Sequence, residues 1–263
     1  MWFGVVTLFP ELIQAATPFG IFGRAVREGR VTIACFNPRD HAVDRHGTVD
    51  DKPYGGGAGM VMLVEPLLAS VSDARAEAER LGLKDVPVVL MSARGDSFTH
   101  QKAAAFKACQ GIILVCGRYE GVDQRFIDLA VTEELSVGDY VVSGGEVPAL
   151  LVMDAVSRLE EGVVGNPDSL TVESHLDGLL EYQQYTRPEM YAGLKVPQEL
   201  LSGDHSRIAL WRRKSALLTT FDRRPEQLAG SSLLENPMDR GLLTEGLGER
   251  AAESGEVKNP TER

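Results

Sequence analysis

The groups of this chain best suited to holding a ligand lie in two glycine-marked segments, GRYEGVD at residues 117–123 and SVGDYVVSGGE at residues 136–146. The first follows an apolar run, IILVC at 112–116, with the character of a buried strand. The second holds a short apolar run at 140–142, then Gly144, Gly145 and the start of a helix. Glycine just after a buried strand reaches conformations closed to residues with a Cβ and lets the backbone approach a bound molecule. Loops at the carboxyl ends of strands are also where open α/β sheets bind ligands. Taken alone, the two segments fit a backbone-lined pocket and a pair of tight turns equally well.

Other chemistry is more weakly marked. YGGGAGM at 54–60 has four glycines in five positions but neither a following Lys-Ser/Thr pair nor the GxGxxG register, which argues against a Walker or Rossmann site. A loop closing over a ligand and an ordinary surface turn both remain. His41 and His46 stand among Asp40, Asp44, Asp50 and Asp51, but their spacing does not face both rings together on a helix and no thiolate supports them. They read as surface charge and turn capping, and no metal ligand is assigned. No Ser/His/Asp order or GxSxG elbow points to nucleophilic hydrolysis. Arg207, Arg212, Arg213, Lys214, Arg223 and Arg224 surround Trp211 and Phe221, with 207, 211 and 214 along one helical face. Such a stripe is either a solvated face or a dock for RNA.

The elements that must carry these groups alternate. Strand-like runs at 3–8, 31–36, 86–91, 112–116 and 140–142 are separated by helical stretches at 11–16, 20–28, 66–81, 99–108, 122–130 and 146–159. Short apolar runs between helices predict an α/β fold, a mostly parallel sheet with helices on both faces. Residues 161–181 lack an apolar period and carry only acidic charge, as a linker would. Helical stretches at 188–194, 206–221 and 225–228 then predict a small all-α domain. The expected division is a domain at 1–160, a linker at 161–181, a helical domain at 182–245 and a disordered polar tail at 246–263.

The 263 residues are 43% hydrophobic and 25% charged, ordinary for a globular chain. The opening MWFGVVTLFP has no basic lead-in and is too short to span a bilayer, so it reads as a first strand. Three scattered cysteines, Cys35, Cys109 and Cys116, exclude a disulfide framework and fit the cytoplasm. The net charge of −11 argues against indiscriminate polyanion binding. It hides a net positive stretch at 181–224, which leaves docking of one shaped nucleic acid open.

Taken together, MWFGVVTLFPE, GRAVREG, NPRDH, DRHGTVDDKPYGGGAGM, LVCGRYEGVDQR, SVGDYVVSGGEVPAL, AVSRLEEGVVGN, YTRPEMYAGLKVPQELLSGDH and IALWRRKSAL resemble the bacterial tRNA (guanine-N1-)-methyltransferase family, TrmD, of the SPOUT class. The resemblance runs from Met1 to about Leu228. It implies a deep trefoil knot in the α/β domain, a departure from the rule that chains avoid knots, and a homodimer with its active site at the subunit interface. It implies S-adenosyl-L-methionine as methyl donor and tRNA as substrate, methylated at N1 of the guanosine just 3′ of the anticodon. Cofactor contacts are implied for Leu90, Met91, Ser92 and Gly95; for Gly117, Arg118, Tyr119, Glu120 and Gly121; and for Ser136, Val137, Gly138, Tyr140, Val142, Gly144, Gly145 and Pro148. Glu120 and Asp139 are expected at the polar ends of the donor. Substrate contacts are implied for Asp50, Tyr54, Gly59, Ser202, His205, Arg207 and Arg212. A divalent-ion requirement in the family finds no recognisable ligand set.

Guanine N1 carries a proton at neutral pH, so methylation needs a base, and charge appearing on O6 needs a cation. By resemblance Arg158 is the cation and a linker carboxylate the base. Many members carry Asp-Ser-Phe in the linker; ungapped counting from Arg158 to Tyr185 puts Glu173 there, followed by Ser174 and His175. Asp168-Ser169-Leu170 mimics the element five residues earlier. Either acid is ionised at neutral pH, with ordinary values of about 4.3 and 3.9, and Glu173 is the expected base. A knotted RNA-binding protein without catalysis is the alternative.

Overall fold

The computed structural model describes residues 1–165, 174, 178–229 and 232–256, and the chain divides into two compact units, Met1–Pro167 and Asp168–Arg263. In the first, the described elements run β1 (Trp2–Val6), α1 (Pro10–Ala16), α2 (Gly20–Arg27), β2 (Thr32–Phe36), a 3-10 turn at Pro38–His41, β3 (Asp50–Asp51) and β4 (Val61–Met62). There follow α3 (Val64–Arg80), β5 (Val88–Ser97), α4 (His100–Ala108), β6 (Gly111–Cys116), α5 (Gln124–Ala130), β7 (Glu133–Ser136) and α6 (Glu146–Ser157).

Five strands form a sheet in the order β2-β1-β6-β5-β7, parallel at every pairing. Strand periodicity decides which residue faces which layer. Phe3, Val5, Val89, Met91, Ile112 and Leu114 face one layer, packed with Phe22 of α2, Phe106 of α4 and Val152 and Met153 of α6. Trp2, Val6, Val88, Leu90, Ile113 and Val115 face the other, packed with Leu67 and Val71 of α3 and Phe126 of α5. Burial on both faces explains why these strands read as unbroken apolar runs. The α/β expectation therefore holds, with the short β3–β4 pair antiparallel outside the main sheet.

Two strand assignments change. Residues 140–142 are irregular, and the edge strand is β7, whose Glu133 and Glu134 interrupt the apolar run that would have marked it. The segment at 92–95, expected as a loop, belongs to β5, whose register against β7 shifts between Met91 and Asp96. That bulge brings Gly95 against the β7 backbone: a Cβ there would lie 2.4 Å from the Leu135 nitrogen.

The second unit holds β8 (Met190–Tyr191), β9 (Leu194–Lys195), α7 (Gln198–Leu201), α8 (His205–Arg223), α9 (Pro225–Ala229), a 3-10 turn at Ser232–Glu235 and α10 (Pro237–Glu256). Its core gathers Leu179, Leu217, Leu218, Leu228 and Leu243. Two buried hydroxyls of α8 serve the extended segment beside it: Thr220 Oγ1 accepts from Leu180 N–H at 2.9 Å and Ser215 Oγ from Gln183 N–H at 3.1 Å. The helix expected at 188–194 is instead the β8–β9 hairpin, because Ala192 and Gly193 both take positive φ (51° and 84°) at its two-residue turn.

The expected disordered tail is also corrected over residues 246–256, which complete α10. Its acids find cations on α8. Asp239 grips Arg213 through two hydrogen bonds of 2.9 and 2.7 Å, and Lys214 meets Glu245 at 3.1 Å and Glu249 at 2.6 Å. Arg250 reaches back to Asp222 at 2.7 Å. No helix of the described residues is long and apolar enough to cross a membrane.

Candidate functional site

A cavity of about 330 Å³ opens at the carboxyl ends of β5, β6 and β7. The chain passes from β5 to the neighbouring β6 and then back past β5 to β7, so the segments leaving these strands gather at the carboxyl end of the sheet, the end where open α/β sheets bind ligands. Residues 90–94, 117–122, 134–138 and 140–145 line the cavity, with Ile127 and Pro148.

Glycine sets how closely its walls meet. Gly145 N–H donates to the Gly117 carbonyl at 2.9 Å, and a Cβ on Gly145 would fall 2.6 Å from Cys116 Cα. A Cβ on Gly144 would fall 2.2 Å from Arg118 Nε. The two glycine-marked segments are thus in direct contact. Tyr119 holds a positive φ of 59° within the turn, a conformation costly for a side-chain-bearing residue and one that clusters at ligand sites.

The 54–60 loop is anchored to this turn at its far end. Glu120 N–H donates to the Met60 carbonyl (2.9 Å), Met62 N–H to the Gly121 carbonyl (3.0 Å) and Asp123 N–H to the Met62 carbonyl (3.1 Å). Gly59 has φ +78°, and a Cβ there would lie 2.3 Å from Glu120 Oε1, so the Glu120 carboxylate occupies the space glycine leaves.

Two charges of the lining, Arg94 and Glu134, are paired with each other. Arg94 Nε donates to Glu134 Oε2 and its Nη2 to Gln124 Oε1, both at 2.9 Å. Asp123 caps α5, and its hydrogen bonds from Arg125 hold its carboxyl below the usual range. Burial, then the neighbouring Asp50 carboxylate, pushes the Tyr119 hydroxyl up. Burial above all pushes the Cys116 thiol well above its ordinary value, with Glu146 adding to it.

Of the residues expected to meet the cofactor, all line this cavity except Asp139 and Gly95, the latter packed on β7. Asp139 is exposed and outside the lining. Sequence reasoning missed Arg94, Glu134, Val122, Ile127 and Ser143. Arg94 and Glu134 are marked only by their strands, β5 and β7; Ile127 lies within α5, and Val122 and Ser143 sit inside the glycine-marked segments with no side-chain chemistry to single them out. Arg158 is half-buried at the end of α6, where its N–H closes the helix on the Asp154 carbonyl. Glu173, Asp168 and His175 lie outside the described residues.

Among the expected substrate contacts, Asp50 neighbours Tyr119, and Tyr54 is fully exposed beside the glycine loop. Ser202, His205, Arg207 and Arg212 are exposed in the second unit. There Asp204 caps α8 by accepting from Ser206 and Arg207 N–H. The basic stripe is narrower than its sequence: Arg213 and Lys214 are engaged by α10, and Arg212 lies 4.9 Å above the Tyr182 ring. Among the described residues no group of three or more His, Cys, Asp or Glu is arranged to hold a metal ion, and His41 bonds Asp73 at 2.8 Å.

The family model described as tRNA (Guanine-1)-methyltransferase TrmD matches residues 1–230. The chain is 50% identical over 227 residues to the tRNA (guanine-N(1)-)-methyltransferase of Burkholderia mallei (strain ATCC 23344), a match covering 86% of each chain. The same identity and coverage hold for the protein of that name from Burkholderia pseudomallei (strain K96243). The cavity residues and both glycine-marked segments fall within the matched span, and the chain belongs to the tRNA (Guanine-1)-methyltransferase TrmD family.

Proposed function

We propose that this chain, a tRNA (guanine-N1-)-methyltransferase by family, methylates N1 of the guanosine immediately 3′ of the anticodon, using S-adenosyl-L-methionine held in the cavity at the ends of β5, β6 and β7. The observation that carries this is the meeting of the two glycine-marked segments around a backbone-rich cavity of small-ligand size. Its lining fits such a donor. Apolar Leu90, Ile127 and Val137 in the lining would suit a flat base, main-chain groups at the strand ends would serve its edges, and the Glu120 and Glu134 carboxylates would suit a positive or hydroxyl-bearing group.

When bound, this donor supplies a methyl group already activated by a positive sulfur. The protein's own work is proton and charge management. Glu173 would take the proton from N1 of guanine and leave that nitrogen free to accept the methyl group. The Arg158 guanidinium meets the charge that appears on O6. Exposed Arg207 and Arg212, with His205 and Ser202, are proposed to grip the tRNA from the helical unit. Asp50, Tyr54 and Gly59 are proposed to meet the substrate beside the cofactor turn.

A homodimer completes the proposal. Phe9, Leu12, Val147 and Leu151 are exposed on neighbouring stretches of α1 and α6, an apolar surface of the kind that a second copy covers. The reaction belongs in the cytoplasm, where tRNA is. Purified protein with labelled donor and tRNAs differing only at the base after the anticodon tests the assignment. Incorporation is expected only with guanosine there; incorporation indifferent to that base contradicts it, and donor binding without turnover on any tRNA favours a non-catalytic RNA-binding protein.

A further inference from the structure

We infer, on the basis that the cavity holds the methyl donor, that Glu146 is a positioning residue: it holds Arg118 against the 143–145 segment and so fixes the distance between the two glycine-marked walls. Glu146 is the first residue of α6, 1% exposed and absent from the cavity lining. Its Oε1 accepts from Thr7 Oγ1 at 2.8 Å. Thr7 is itself fully buried just past β1, where its Oγ1 accepts from Phe9 N–H at 2.9 Å. The Glu146 Oε2 lies 2.8 Å from Arg118 Nη2.

Arg118 is held by groups from three parts of the chain. Its Nη1 donates to the Ser143 carbonyl at 3.2 Å, its guanidinium carbon sits 4.4 Å from the centre of the Phe9 ring, and Gly144 leaves the space that Nε fills. One cation therefore ties together the end of β1, the 117–121 turn and the entry to α6. Arg118 and Ser143 both line the cavity, so moving this cation moves the wall.

The pair is not built for stability alone. Arg118 Nη2 and Glu146 Oε2 are in ion-pair range without hydrogen-bond alignment, and Glu146 Oε2 and Arg118 Nε are buried with no hydrogen-bond partner among the described residues. A buried ion pair so incompletely satisfied is commonly no more stabilising than apolar residues of equal volume. What this pair supplies is a fixed position for a guanidinium beside the ligand, which apolar packing does not give.

Glu146→Gln isolates the claim, because the amide oxygen still accepts from Thr7 while the charge that holds Arg118 is gone. Calorimetry with S-adenosylmethionine and steady-state kinetics at saturating tRNA are the readouts. The expected result is a donor Kd and donor KM raised about 10-fold, the size of a typical coupling between contacting residues, with kcat within about twofold and tRNA affinity unchanged. Arg118→Gln, at a partly exposed position, should give the same donor loss, and the double variant little more than either single one. A lowered melting temperature with donor Kd unchanged in Glu146→Gln would make the pair merely structural and overturn the inference. Should Glu146→Gln fail to fold, an unchanged donor Kd in Arg118→Gln overturns it equally. Wild-type protein that binds no S-adenosylmethionine contradicts instead the assignment of the cavity.

Discussion

Gly145 has ordinary backbone angles, so the site uses its smallness and not its conformational freedom. Gly145→Ala drives a Cβ into the β6 backbone, which cannot rotate away as a side chain would. A loss of about 1–3 kcal/mol in denaturant unfolding is expected, together with weaker donor binding. At Glu173 the opposite division is expected. Glu173→Gln should lower turnover on the order of 100-fold, as expected for loss of a general base, with donor Kd unchanged, while Asp168→Asn does little. The reverse pattern in single-turnover kinetics moves the base to Asp168. Cys116 offers a check on the core: burial raises its thiol pKa, so the reactive thiolate is depleted at neutral pH. Mass spectrometry after alkylation at pH 8 should find Cys116 unmodified in the folded protein and modified on unfolding. The residues legible in sequence were those whose type announces a backbone role, such as Gly117, Gly144 and Gly145. Arg94 and Glu134 were not, because they meet only across two strands that lie far apart in the chain.

At the scale of elements, apolar runs flanked by helices located β1, β2, β5 and β6, since burial on both faces leaves a strand nothing to alternate with. β7 escaped notice because an edge strand tolerates Glu133 and Glu134, and the hairpin at 190–195 because its turn residues are not the usual Asn-Gly. The end of the last helix was hidden because residues from 246 onward are polar and short of large apolar side chains, while the acids of that helix find their partners on α8, far away in sequence. Arg213 and Asp239 make this specific: the Asp239 side chain is 2% exposed and Arg213 27%, joined by two short hydrogen bonds. Asp239→Ala leaves that guanidinium without its carboxylate. It should destabilise the helical unit by about 3 kcal/mol, the lower end of the range for breaking a buried pair because Arg213 keeps some water. Thermal unfolding should show the loss, with S-adenosylmethionine binding retained by the α/β unit.

At the scale of the whole molecule, the cavity belongs to one unit and the exposed cations proposed for tRNA to the other. Val147 and Leu151, four residues apart on one side of α6, are 60% and 43% exposed, which an isolated subunit leaves to water. For the proposed homodimer, Val147→Glu should shift sedimentation from dimer to monomer in analytical ultracentrifugation and abolish turnover. A wild-type protein that sediments as a monomer while turning over contradicts the proposed shared site. Mapping the methyl group on tRNA reads the chemical outcome of the proposed reaction itself. After incubation with S-adenosylmethionine, nuclease digestion and mass spectrometry should find one methyl group, on N1 of the guanosine immediately 3′ of the anticodon. A methyl group on another base or atom, or none despite bound donor, contradicts it.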